Sequence, residues 1–247
     1  MPCLLVKDDR LVKTVKFRNP AYVGDPVNAI KIYNEKEVDE LILLDISATR
    51  EGREPNFELV ETVANECFMP LCYGGGVREV EHARRLFGIG VEKVAINSHA
   101  AENESLVSEC AALFGNQSIV LSIDVKKTWR GKRIVHTQGG RKKTSYDPVD
   151  YARRMEQAGA GEILLTSIDR DGTWSGYDVE LIRAVTDAVN VPVIACGGAG
   201  SLEDFGEAVS AGGASAVAAG SMVVYSGHGL GVLIKFPSRK ELECALK

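Results

Sequence analysis

The sequence predicts an α/β fold: a single (β/α)8 barrel built of two half-barrel repeats. Three observations lead there. Short β-branched runs alternate with segments of helical period along all 247 residues, the pattern of βαβ units and a parallel sheet. The chain also repeats itself about half its length apart: Pro70-Leu-Cys-Tyr-Gly-Gly-Gly resembles Pro192-Val-Ile-Ala-Cys-Gly-Gly, and Ala95-Ile-Asn-Ser falls where the second half has Ala218-Ala-Gly-Ser. Finally, a chain of this length with 45% hydrophobic residues can bury one large core, and eight parallel βα units leave no open sheet edge when they close into a ring. The expectation is one domain over 1–247, with half-barrels at roughly 1–117 and 118–247.

The strands are expected over 3–6, 41–46, 70–73, 93–97, 119–125, 163–167, 192–196 and 216–219, with representative helices over 26–37, 56–67, 105–114 and 148–158. Pro26 and Pro148 each follow an aspartate, so a capping carboxylate precedes a proline at the first helical position. In the register of the repeat, Leu43-Leu-Asp-Ile-Ser lies near Leu164-Leu-Thr-Ser-Ile-Asp, and Leu4-Leu-Val-Lys lies opposite Ile123-Asp-Val-Lys.

Composition excludes several classes of function. The net charge of -5 opposes a nucleic-acid role that depends on phosphate neutralisation, and the basic stretches 126–133 and 141–143 read as loops near an anionic small molecule. No apolar run reaches the ~18 residues of a membrane span, and Met1 leads directly into a strand, so we expect a cytoplasmic chain without a targeting segment. The six cysteines form no CxxC pair and sit mostly in apolar runs, as reduced core thiols do. The four histidines have no metal-ligand spacing, so neither a metal nor a cofactor is expected; His82, His136 and His228 read as helix or loop residues and His99 as a surface residue beside a phosphate loop. Trp129 and Trp174 fall in mouth loops, where they could cover a ligand or meet a partner, and partner contact is the favoured reading.

In such barrels the active site forms at the C-terminal strand ends. Gly74-Gly75-Gly76 and Gly197-Gly198 follow strands three and seven, while Asn97-Ser98 and Gly220-Ser221 follow strands four and eight. Each set offers backbone amides and small side chains to one phosphate. Glycine after a strand is also ordinary turn punctuation, but two symmetric sets imply a ligand with a phosphate at each end. Asp45, Asp124, Asp169 and Asp171 converge on the same mouth. Asp45 and Asp169 also read as loop caps, whereas Asp124 ends a buried central strand and is the best candidate for a general acid or base.

These residues resemble the cyclase subunit of imidazole glycerol phosphate synthase, the HisF family. The likeness covers nearly the whole chain, including the Cys3-Leu-Leu-Val-Lys-Asp start, Gly24-Asp-Pro-Val, Asp39-Glu-Leu-Ile-Leu-Leu-Asp, Gly74-Gly-Gly and the long stretch from Gly159 to Thr173, followed by Ser175-Gly-Tyr-Asp. The resemblance implies a HisH-like glutaminase docked on the N-terminal face, which releases ammonia through the barrel to a bisphosphate substrate at the opposite face. It places one phosphate on Gly75, Gly76, Asn97 and Ser98 and the other on Asp171, Gly172, Gly198, Ala219 and Gly220. Lys13, Asp45 and Thr166 become further ligand contacts. Glu40, Lys93 and Glu162 match three of the four charged residues that gate the ammonia entrance, and the fourth, an arginine, would precede Met1. The same residues also read as a salt-bridged plug.

Two departures alter the chemistry. Asp124 matches one of the family's two catalytic carboxylates, but the other position holds Leu5, which can neither donate nor accept a proton. Gly220 stands where the family has a phosphate-site serine, and the tail from Gly227 to Pro237 does not resemble the usual eighth unit. The chain therefore resembles HisF-like paralogues that pair with a glutaminase and pass ammonia to a separate sugar amidotransferase, which converts an acetamido to an acetamidino group in surface-polysaccharide synthesis. The competing readings are a genuine cyclase of histidine biosynthesis, with Asp8 or Asp45 covering for Leu5, and a phosphosugar isomerase of the related barrel. The isomerase would also need a carboxylate at position 5.

Overall fold

The computed structural model of the chain describes residues 1–246 and shows the expected closed barrel. In chain order, β1 (Cys3–Lys7) runs into an antiparallel hairpin of β2 (Arg10–Val15) and β3 (Arg18–Gly24), and α1 (Pro26–Glu35) then leads to β4 (Leu41–Asp45). The first half continues with α2 (Phe57–Glu66), β5 (Leu71–Gly74), α3 (Val80–Ile89), β6 (Lys93–Ile96), α4 (Ser98–Glu102) and α5 (Ser105–Phe114). The second half opens with β7 (Ile119–Lys127), which also runs into a hairpin, β8 (Arg133–Thr137) and β9 (Lys142–Lys143). It ends with α6 (Pro148–Gln157), β10 (Glu162–Ser167), α7 (Val179–Thr186), β11 (Val193–Cys196), α8 (Leu202–Ser210), β12 (Ala216–Ala218), α9 (Ser221–Val224) and α10 (Arg239–Ala245).

The parallel order β1-β4-β5-β6-β7-β10-β11-β12 closes on itself through a bridge between Pro2 and Ala219. Register verifies the internal repeat. Leu5 pairs with Leu44 across β1 and β4, and Asp124 pairs with Thr166 across β7 and β10, so Leu5 and Asp124 occupy matching positions in the two halves.

Local sequence sets the element ends. The Asp25 carboxylate accepts from the Asn28 amide at 2.9 Å and that of Asp147 from the Val149 amide at 3.0 Å, each just ahead of the proline that opens its helix. Helix α1 is shorter than expected, stopping at Glu35.

Two corrections concern segments expected to be loops. The stretches 126–133 and 141–143 lie largely in the β7–β8–β9 excursion, and their cations serve the fold: Lys127 and Arg133 pair with Asp178, and Lys142 pairs with Glu102. Lys13 and its neighbours, which fall between the expected first strand and first helix, form β2 of a hairpin and not a loop.

Inside the barrel, Cys3, Ile42, Cys72, Ala95, Val120, Leu164, Ile194 and Ala218, one from each barrel strand, form an apolar inner cluster. A larger core between sheet and helices buries residues such as Tyr33, Leu86 and Val185. All six cysteines are free thiols, and no helix among the described residues is long and apolar enough to cross a membrane.

The eighth unit is built differently from the others. After the short α9 the chain doubles back: the Leu233 amide donates to the Val224 carbonyl and the Lys235 amide to that of Val223, both at 3.0 Å. The fully buried Tyr33 of α1 ties this segment down, donating its hydroxyl to the Val223 carbonyl at 3.0 Å and meeting Phe236 edge-on at 6.4 Å. Tyr33→Phe is expected to lower unfolding free energy by about 1 kcal/mol with an unchanged denaturant slope, and Tyr33→Ala by about 3–5 kcal/mol, as measured by urea denaturation.

Candidate active site at the barrel mouth

One cavity at the C-terminal strand ends gathers Gly75, Gly76, Asn97 and Ser98 on the first-half side and Asp171, Gly172, Gly198, Ala219 and Gly220 on the other, with Leu5, Lys13, Asp45, Asp124 and Thr166 between them. Every mouth residue expected to touch ligand is therefore in one place. The glycines are required by geometry. Gly198 has φ +121°, and a Cβ there would lie 2.1 Å from the Gly176 carbonyl oxygen; at its repeat partner Gly76, with φ +73°, a Cβ would lie 2.8 Å from the Arg53 oxygen.

Asp124 is buried, accepts from the Asn97 side-chain amide at 3.1 Å and pairs in register with Thr166 of β10. Burial is the main cause, with the Asp171 charge second, that pushes its carboxyl up to about 7, within the range where a general acid or base works near neutral pH. Asn97 is held in turn by donation to the Ser122 carbonyl at 2.9 Å, and the Ser98 hydroxyl accepts from the Gln138 amide at 2.9 Å.

On the other side, the buried Asp171 carboxylate receives the Lys13 ammonium at 3.2 Å and the Thr14 hydroxyl at 3.1 Å. Burial works against the Lys13 charge, but the groups around it, Asp171 foremost, together hold the lysine pKa above its ordinary value. Lys13 passes directly over Gly220, where a Cβ would stand 2.6 Å from its Nζ.

Asp45 lines the cavity but behaves as a cap. One of its oxygens accepts from the Ser47 amide at 2.8 Å, the Ser47 hydroxyl at 2.7 Å and the Ala48 amide at 3.0 Å. Asp169 instead ties its loop to the end of β7, accepting from the Lys127 amide at 2.7 Å.

Several cavity residues escaped the sequence reading. Thr49 accepts from the Gly76 amide at 3.2 Å, and Arg50, Phe17, Cys3 and Cys196 also line the cavity. Thr49 and Arg50 could have been found by applying the strand-end rule to the loop after β4. His99, expected at the surface, is half-buried on the cavity wall, and burial lowers its pKa. Of the other histidines, His82 is buried against Glu79 at 2.9 Å and His136 is buried with Nδ1 3.1 Å from the Ile134 carbonyl. Among the described residues no group of three or more His, Cys, Asp or Glu could hold a metal ion. Trp129 is exposed at the tip of the β7–β8 hairpin, whereas Trp174 is half-buried and lines a second, neighbouring cavity.

At the opposite end of the barrel, Glu40, Lys93 and Glu162 form one cluster. The Lys93 ammonium donates to Glu40 at 2.8 Å and to both Glu162 oxygens at 2.8 and 2.9 Å. These hydrogen bonds raise the lysine pKa against the effect of burial. Burial raises the pKa of Glu40, whose second oxygen is buried without a partner.

A family model described as "Histidine biosynthesis protein" matches residues 1–229. The chain belongs to this family. Within it the chain is HisF-like: it is 52% identical over 243 residues to a Pseudomonas aeruginosa protein provisionally named imidazole glycerol phosphate synthase subunit hisF2, covering 98% of this chain and 97% of that protein. A Leptospira interrogans protein provisionally named subunit HisF is 48% identical over 98% of this chain and 96% of its own length. The imidazole glycerol phosphate synthase subunit HisF of Alkaliphilus metalliredigens is 47% identical over 92% and 90% of the two chains.

The raised Asp124 has a measurable consequence. A carboxyl that titrates near ~4 when unfolded and at about 7 in the fold favours the folded state while protonated. That contribution is complete below the unfolded value and is lost as pH rises to about 7. Asp124→Asn should therefore match the parent near pH 4 and exceed it by a few kcal/mol at pH 8, on the order of 1.4 kcal/mol per pH unit crossed. Denaturant unfolding at the two pH values measures this, and equal stability at pH 8 would contradict a buried charge.

Proposed function

We propose that this HisF-like chain pairs with a HisH-like glutaminase and conducts ammonia to a separate sugar amidotransferase of surface-polysaccharide synthesis, with cyclase chemistry impaired. The observation that carries this reading is Leu5. It occupies the register position matching Asp124 and faces the same cavity, and no neighbouring carboxylate is free to replace an acid there: Asp45 is committed to its cap and Asp171 to Lys13. Asp8, the other candidate, is exposed and 3.7 Å from Lys7, outside the cavity.

A path for ammonia is supported from both ends. The Glu40–Lys93–Glu162 cluster stands at the strand starts, and the inner cluster between it and the mouth consists of apolar side chains, several of them small, such as Cys3, Ala95 and Ala218. Such a lumen favours neutral ammonia over ammonium, because an unpaired charge is strongly disfavoured in it.

The second reading is a working cyclase of histidine biosynthesis. It draws on Asp124, which is retained and titrates near neutrality. The two readings differ in turnover. With the bisphosphate substrate and ammonium salts, the purified chain should close the imidazole ring at least about 10²-fold more slowly than a subunit carrying both carboxylates, and Leu5→Asp should be necessary for any large recovery. A normal cyclase rate overturns the conduit reading.

For the entrance, Lys93→Met is expected to reduce transfer of glutamine-derived ammonia in the complex with the glutaminase and amidotransferase, while leaving amidotransfer from added ammonium salts intact. Equal loss from both nitrogen sources would count against a gate.

A further inference from the structure

Beside the main cavity lies a second one of about 370 Å³, and the two share Lys13, Thr14, Gly172 and Ser221 on their walls. Trp174, Tyr225 and His228 give the second cavity an aromatic side, with the rings of Trp174 and His228 edge-to-face at 6.1 Å and 74°, and Val15, Asn19, Ala21 and Leu230 complete its lining. Its space exceeds the roughly 150 Å³ that admits a benzene ring. Two backbone features bring these groups together. Trp174 has φ +60°, unusual for a tryptophan, and its carbonyl sits where a Cβ on Gly200 would lie 2.6 Å away. The doubled-back segment after α9, bridged between Tyr225 and Val232, carries His228 onto the Trp174 ring.

The junction is occupied by a cation. The Lys13 ammonium fills the space over Gly220 and is buried, with Asp171 as its anchor. An anion held by the amides around Gly172, Gly198 and Gly220 would meet this ammonium, and a substituent leaving the anion sideways would enter the aromatic cavity.

We propose that the second-half anion site binds a phosphate ester whose aromatic ring lies against the Trp174–His228 pair and Tyr225, with Lys13 holding the phosphate at the junction. The inference rests on the HisF-like reading of the chain, which makes the mouth loops phosphate sites, and is independent of ammonia conduction. Brisk ring closure would sink the conduit and leave this site untouched, whereas failure of aryl phosphate binding would sink this site and leave the conduit.

The two tryptophans make the test direct. In a Trp129→Phe background, Trp174 is the sole tryptophan, and phenyl phosphate should quench its emission and bind at least about tenfold more tightly than inorganic phosphate, in line with the strength of aromatic stacking. In a Trp174→Ala variant followed by calorimetry, that preference should shrink to within about twofold while the affinity for inorganic phosphate stays unchanged. Gly220→Ser, which displaces the lysine, should weaken both ligands. Equal affinity for the two ligands, no binding of either, or equal loss of both on Trp174→Ala would overturn the proposal.

Discussion

The mouth depends on how the sheet closes. The Cys3 amide donates to the Ala219 carbonyl at 2.8 Å, and the Ala219 amide donates to the Met1 carbonyl at 2.9 Å. These bonds join the first strand to the last and remove the sheet edges, so the barrel strands have neighbours on both sides. They also set Lys13, which follows β1 in the chain, against Gly220, which follows β12. Without closure, the cation and the second-half phosphate loop would lie at opposite edges of an open sheet.

The two halves share a backbone plan and differ in chemistry. Each opens with a strand that continues into an antiparallel hairpin, and each places glycines with positive φ at matched positions. On that common plan the first half carries Leu5 and the second Asp124, so the buried acid is on one side only. The first half contributes its cation from the hairpin, across the barrel mouth to Asp171 of the second. Charge is thus balanced between halves rather than within either.

Buried charge at the two ends of the barrel is handled differently. At the bottom, Lys93 bridges two carboxylates, so the cost of desolvating three charges is offset by short hydrogen bonds. At the top, Asp124 has only neutral hydrogen-bond partners and an acidic neighbour in Asp171, so its proton is retained to about pH 7. A group that exchanges a proton near neutrality is thereby kept at the mouth, while the opposite end is locked as an ion-paired cluster.

The sequence by itself determined the barrel, its strand positions to within a few residues, and the set of residues at the mouth, because period-2 and helical patterns are local and the half-chain repeat fixes matched loops. It also exposed Leu5, since a missing acid is visible in the residue string. It did not determine the hairpins that extend β1 and β7, whose outer strands β3 and β9 are largely exposed, so their pairing is set by the strands they continue from. Nor could it say that Lys13 lies over Gly220 or that Trp174 lines a second cavity with Tyr225 and His228. Each of those facts turns on contacts between segments far apart in the chain, with Lys13 and Asp171 separated by 158 residues, and only the closed tertiary structure brings such residues within reach.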